Sequence, residues 1–208
     1  MNIKELYLVR HGKIDTGGVK RFIGRTDLPL NENGRKQAAL LRESLSGVQF
    51  NAVFCSHLDR SVSTARIICE KQPVQPTVNK QLGEIHLGDW EGMSFDEIRS
   101  LYPAEFDRRG IDIVNHRPSG GESFAQCAGR VIPALNEILT RWDGRVLIVG
   151  HAGVNRMIIC HLLGIPPANL FKIRQDYGCL NTFVSRRCDL QLVTLNECPQ
   201  STSRKTIQ

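Results

Sequence analysis

The chain has 208 residues, 27 of them Lys or Arg against 21 Asp or Glu, for a formal charge of +6, and 41% are apolar. That composition suits one α/β domain with its own core; it is short for two domains and too apolar for a disordered chain. No apolar run nears the roughly 20 residues of a membrane helix and no leader-like segment opens the chain, so a cytoplasmic protein is expected.

Along the chain, strand-like runs alternate with helical patterns. Leu6–Val9 reads as a buried strand, followed by a Gly-rich loop through Gly24. Asn31 is placed to cap a helix through Leu45, with Ala38, Leu41 and Leu45 on one face and Gly47 as its stop. Phe50–Phe54 reads as a second strand and Arg60–Glu70 as the helix after it. A short strand is expected around Val78. Ser94 and Glu97 form a capping box with Met93 and Ile98 as a hydrophobic staple, and Pro103 ends that helix. Ser123 and Gln126 open a longer helix carrying Val131, Leu135 and Ile138, which Pro133 should kink or break. Then come a strand at Val146–Val149, a helix over Gly153–Leu163 stopped by Gly164, and a hairpin of Cys179–Ser185 with Leu190–Leu195 around Arg186–Asp189. This alternation predicts a largely parallel sheet covered by helices on both faces. One domain is expected over 1–198, with a disordered polar, basic tail over 199–208.

Seven cysteines lack C-x-x-C spacing and join no His–Cys cluster, which favours buried thiols and argues against a metal site. Basic residues are dispersed and aromatics make up 6%, so a small anionic substrate is expected rather than nucleic acid. Three segments at predicted strand ends carry the chemistry: Arg10-His11-Gly12, Ser56-His-Leu-Asp-Arg60 and Gly150-His151-Ala152-Gly153. In an open α/β sheet, neighbouring strand ends converge on one site, and helix N-termini there favour an anion. An imidazole can take a phosphoryl group covalently, arginines fork onto phosphate oxygens, and their charge keeps the nucleophile unprotonated. The leaving alkoxide needs a proton; Glu84, in a Gly-punctuated loop, is the best donor, with Asp89, Glu91 and Glu122 as weaker alternatives.

Those segments, together with Gly24-Arg-Thr-Asp-Leu-Pro-Leu30, Gly88-Asp-Trp-Glu-Gly92 and Gly120-Gly-Glu-Ser123, resemble the histidine phosphatase superfamily, also called phosphoglycerate mutase-like. The resemblance runs from Leu6 to about Phe183. It implies a three-layer α/β/α sandwich with a mostly parallel central sheet. It implies His11 as the phosphorylated nucleophile, Glu84 as proton donor, Arg10, Arg60 and His151 as phosphate ligands, and no cofactor. Thr26 would lie near the substrate, and Gly24, Arg25 and Ala152 are placed with it at the substrate rim. The C-terminal third is similar to the small α-ribazole phosphatase-like branch, which makes α-ribazole 5′-phosphate a candidate substrate. The short stretch between Glu84 and Gly120 favours hydrolysis over a phosphomutase, which must shield its phosphohistidine from water. A non-catalytic phosphate-binding module would have no use for Glu84. Lys13 stands where the family usually has an acid, and Gly17 where an asparagine commonly touches phosphate; Asp15, Thr16 or the Gly17 amide could substitute. The closing hairpin or an edge strand could serve a homodimer.

Overall fold

The computed structural model describes residues 3–186 and 189–200. Six strands form one sheet in the order β3-β2-β4-β1-β5-β6. They are β1 (Ile3–Arg10), β2 (Ala52–Cys55), β3 (Thr77–Val78), β4 (Gly144–Gly150), β5 (Leu180–Arg186) and β6 (Asp189–Glu197). The three pairings among β3, β2, β4 and β1 are parallel, while β5 and β6 join antiparallel. The sheet is therefore mostly parallel, as the alternation predicts.

Side-chain alternation explains the layering. Leu6 and Leu8, with Ala52, Phe54, Val146, Ile148 and Phe183, belong to one apolar cluster. Their neighbours Tyr7, Val9, Val53, Cys55, Leu147 and Val149 belong to another. Strands apolar on both faces must be covered on both. Helices α1 (Glu32–Ser44) and α2 (Asp59–Cys69) cover the second face, and α5 (Phe124–Arg141) and α6 (Ala152–Leu163) the first. The result is a three-layer α/β/α sandwich.

Local signals account for most helix boundaries. Asn31 caps α1 through the Gly34 amide, and both predicted capping boxes form, at Ser94 for α3 (Phe95–Leu101) and at Ser123 for α5. Gly164 ends α6 in the left-handed conformation at φ 63°. Three expectations change. Helix α1 ends at a Leu45 cap, two residues before Gly47. Helix α5 runs unbroken through Pro133, because its apolar face, including Val131, Ala134, Leu135 and Ile138, is buried against the sheet and outweighs the lost hydrogen bond. Pro103 ends α3 but also starts α4 (Pro103–Ile111), where a proline costs nothing at the first turn. Helix α4 buries no residue fully although its sequence is amphipathic; Phe106 packs against the core only partly buried.

Five cysteines are buried free thiols and Cys198 is exposed; Cys188, in the expected hairpin tip, and the tail from 201 lie outside the described residues. Among the described residues no helix is long and apolar enough to cross a membrane.

Candidate active site

Because β2, β4 and β1 are parallel neighbours, their carboxyl ends deliver Ser56, His151 and His11 to one place. The His11 and His151 rings lie with centroids 5.0 Å apart. Backbone packing sets the first ring. The His11 amide donates to the Gly150 carbonyl, and Gly12 lies against Gly34 of α1 so closely that a Cβ on either glycine would overlap backbone. The Gly12 carbonyl accepts from His11 Nδ1 at 2.7 Å. A carbonyl can only accept, so Nδ1 carries the proton and Nε2 keeps its lone pair. Burial, then the charges of Arg10 and Arg60, push the His11 imidazole well below its ordinary value, which leaves it neutral.

His151 is fixed from the other side. Ser56 Oγ, which accepts from the Leu58 amide, lies 2.6 Å from its Nε2 and holds that edge of the ring. The other ring nitrogen, Nδ1, is buried and without a partner among the described residues. Burial, then Arg60, His11 and Arg10, hold this ring well below its ordinary value too.

The two arginines are oriented by carbonyls, which position a guanidinium without neutralising it. Arg60 is 1% exposed and donates to the Thr26 carbonyl at 2.7 Å and the Gly24 carbonyl at 2.5 Å. Arg10 donates to the Gln175 carbonyl at 2.7 Å and lies 3.7 Å above the Tyr177 ring, which in turn faces His11 at 5.5 Å. Both Nε–H groups are buried without a partner among the described residues.

Glu84 is 7% exposed at the N-terminus of α6. Its carboxylate accepts from the amides of Gly153 at 3.0 Å, Val154 at 3.2 Å and Ile85 at 3.0 Å. It shares with Arg10 and Ala152 the wall of a cleft of about 580 Å³. The weaker acid candidates are occupied elsewhere or exposed. Glu122 pairs with Arg130 at 2.7 Å, and Asp89 is exposed. Glu91 accepts from the amides of Gly24, Arg25, Thr26 and Leu87 and from the Thr26 hydroxyl. Burial raises the Glu91 carboxyl, but these hydrogen bonds outweigh it and hold the group below its usual range.

Glu91 is thus a clamp for the loop whose carbonyls aim Arg60. Of the four residues expected at the substrate rim, Ala152 lines the cleft. Gly24 and Thr26 back Arg60, and Arg25 reaches Glu122 at 3.8 Å. The Gly17 amide donates to Asp15 at 2.9 Å in an exposed turn. The sequence also places the Gly17-Gly18 loop, with Lys20, Arg21 and Arg25, at the substrate rim, and Lys20 and Arg21 do line the cleft. It assigns no individual role to Tyr177, Gln175, Ser56, Phe22, Phe95 or Arg109; Ser56 lies in a segment singled out for its strand end, and Gln175 and Tyr177 in the family-like C-terminal third.

Paired arginines, two neutral imidazoles, the first with its tautomer fixed, and a nearby carboxyl group make up a site for phosphoryl chemistry. The chain belongs to the histidine phosphatase superfamily (branch 1), whose family model matches residues 6–198. It is 33% identical over 182 residues to phosphoserine phosphatase 1 of Hydrogenobacter thermophilus, covering 87% of this chain and 84% of that protein. It is 32% identical over 175 residues to the adenosylcobalamin/alpha-ribazole phosphatase of Salmonella typhimurium, covering 84% and 87%. The crystal structure of the alpha-ribazole phosphatase from Shigella flexneri superposes with a TM-score of 0.84 at 28% identity, over 93% of this chain and 96% of that one.

Proposed function

We propose that this protein hydrolyses phosphomonoesters of small metabolites through a phosphohistidine at His11. The observation that carries the reading is the pair of buried guanidinium donors without partners, Arg10 Nε and Arg60 Nε, whose charges act on an imidazole with its Nε2 free to attack, together with the unpartnered Nδ1 of His151. A buried donor left unpaired costs about 1–3 kcal/mol, and more for a charged group, so two charged ones at this site point to an anion that they bind.

In the first step His11 Nε2 attacks phosphorus, the P–N bond forms and the bond to the leaving oxygen breaks. Glu84, entering this step as the carboxylic acid, supplies the proton that the leaving alkoxide takes and is left as the carboxylate. In the second step water attacks the phosphohistidine, Glu84 takes back a proton, and the P–N bond breaks to release inorganic phosphate. Arg10, Arg60 and His151 hold the equatorial oxygens throughout, which is where most of the rate comes from in this reaction class. The relatives' names place α-ribazole 5′-phosphate, and with it a step of cobalamin biosynthesis, and phosphoserine first on the substrate panel.

Phosphate release across that panel, with acid-quenched labelling of the enzyme by radioactive substrate, tests the reading. His11→Ala should lose the label and lower kcat by at least about a thousandfold. Label without net phosphate release would make the enzyme a phosphomutase. Turnover surviving in His11→Ala would refute the mechanism.

A further inference from the structure

Arg10, Glu84 and Ala152 bring the cleft to the edge of the phosphate site, although His11, Arg60 and His151 do not line it, and its volume of about 580 Å³ lies in the range of small-molecule sites. Its far wall is aromatic. The Phe22 and Phe95 rings stack at 4.1 Å, and Phe171, half exposed, meets Phe124 edge-on at 5.9 Å. Four further cations line the same space: Lys20, Arg21, Arg109 and Arg156.

Two of these cations are spent on the protein. Arg21 donates to the Thr16 and Gly92 carbonyls and pairs with Glu97. Arg156 donates to the Ile173 and Ala152 carbonyls. Arg109 and Lys20 differ: among the described residues neither makes a hydrogen bond or an ion pair. The Arg109 guanidinium lies 5.3 Å from the Phe22 ring and 5.5 Å from the Phe171 ring, and the Lys20 ammonium 4.6 Å above Phe95. Burial pulls Arg109 down to about 10. Arg109, half-buried, and Lys20, exposed, are held only by ring faces and keep their hydrogen-bonding capacity for something that enters the cleft.

We propose that Arg109 and Lys20 form a second anion subsite. The substrate's end remote from the transferred phosphoryl group then carries an anionic oxygen group, a carboxylate or a second phosphoryl, on a body that packs against Phe22, Phe95 and Phe171. The assignment of which end is which rests on the phosphatase reading above. The subsite gives α4 a function: it carries Arg109 over the cleft while burying no residue fully itself.

Matched phosphonates test it without requiring turnover. Each carries a phenyl body and a tail of increasing length that ends in a carboxylate, its carboxamide or a second phosphonate. Binding to the full chain is measured by titration calorimetry. At the best tail length one anionic end should bind about tenfold tighter than the amide, and whichever anion wins names the remote group. Arg109→Leu should bring that ratio below about twofold. Should Arg109→Leu fail to fold, Lys20→Met and Arg109→Lys should each lower the ratio, and added salt should lower it in the wild type. The proposal is overturned if neither anion outbinds the amide at any length, or if the preference survives in these variants. Failure of the corresponding phosphate esters to turn over would sink the phosphatase reading and leave this binding result standing.

Discussion

Acidification should destabilise the fold through its own active site. His11 and His151 are 3% and 0% exposed, and burial with neighbouring guanidinium groups holds both imidazoles well below their ordinary value. In the unfolded chain each binds a proton near pH 6.5, whereas in the folded chain each stays neutral. Below that pH the unfolded state therefore binds more protons, and stability falls as pH falls. Between about pH 7.5 and 5.5 each ring contributes about 1.4 kcal/mol of loss, or about 2.7 kcal/mol for the pair. His116 and the exposed His57 are lowered less securely, so solvent screening leaves them a smaller share. Urea denaturation at the two pH values measures the total, and His11→Asn isolates one ring by removing about 1.4 kcal/mol of the pH dependence. A wild-type change under about 1 kcal/mol, or a His11→Asn variant with undiminished pH dependence, would refute the claim that these rings are held neutral.

Glu91→Gln should destabilise the fold by about 2–4 kcal/mol in urea melts, because one amide oxygen cannot serve four backbone donors and a hydroxyl. The same variant should bind inorganic phosphate about tenfold more weakly in calorimetry, since the loop that aims Arg60 loosens. Gly12→Ala drives a methyl into the Gly34 backbone and should cost about 3 kcal/mol, seen as a thermal midpoint lowered by about 6–12 °C.

Layering was legible in the sequence because period-two burial on both faces leaves a strong mark: Leu6-Tyr-Leu-Val9 and Val146–Val149 each feed two cores. The convergence of Arg10, His11, Arg60 and His151 was legible for a related reason, since each lies just beyond a buried run or opens the helix after it. Helix α4 left no such mark because it is only partly buried, and its proline reads equally as an end or a beginning. Clamps were harder still. Nothing local tells that Glu91 is spent on backbone amides 65–67 positions earlier, or that Tyr177 lies under Arg10. Those pairings depend on where loops land, which is set by the packing of the whole sheet. Likewise, Pro133 predicts a kinked or broken helix on local grounds, and only burial of the flanking turns keeps α5 continuous through it.

Strand β1 has β4 on one side and β5 on the other, so the segment that presents His11 has no free edge. Its amides should be among the slowest to exchange with deuterium, released only when the sheet as a whole comes apart. Thermal or chemical inactivation should then coincide with global unfolding and show no earlier local melting at the reacting centre. The outer wall is different: α4, with Ile111 86% exposed, can fray on its own. On the proposed hydrolase reading, warming should therefore weaken discrimination among substrates before it abolishes turnover.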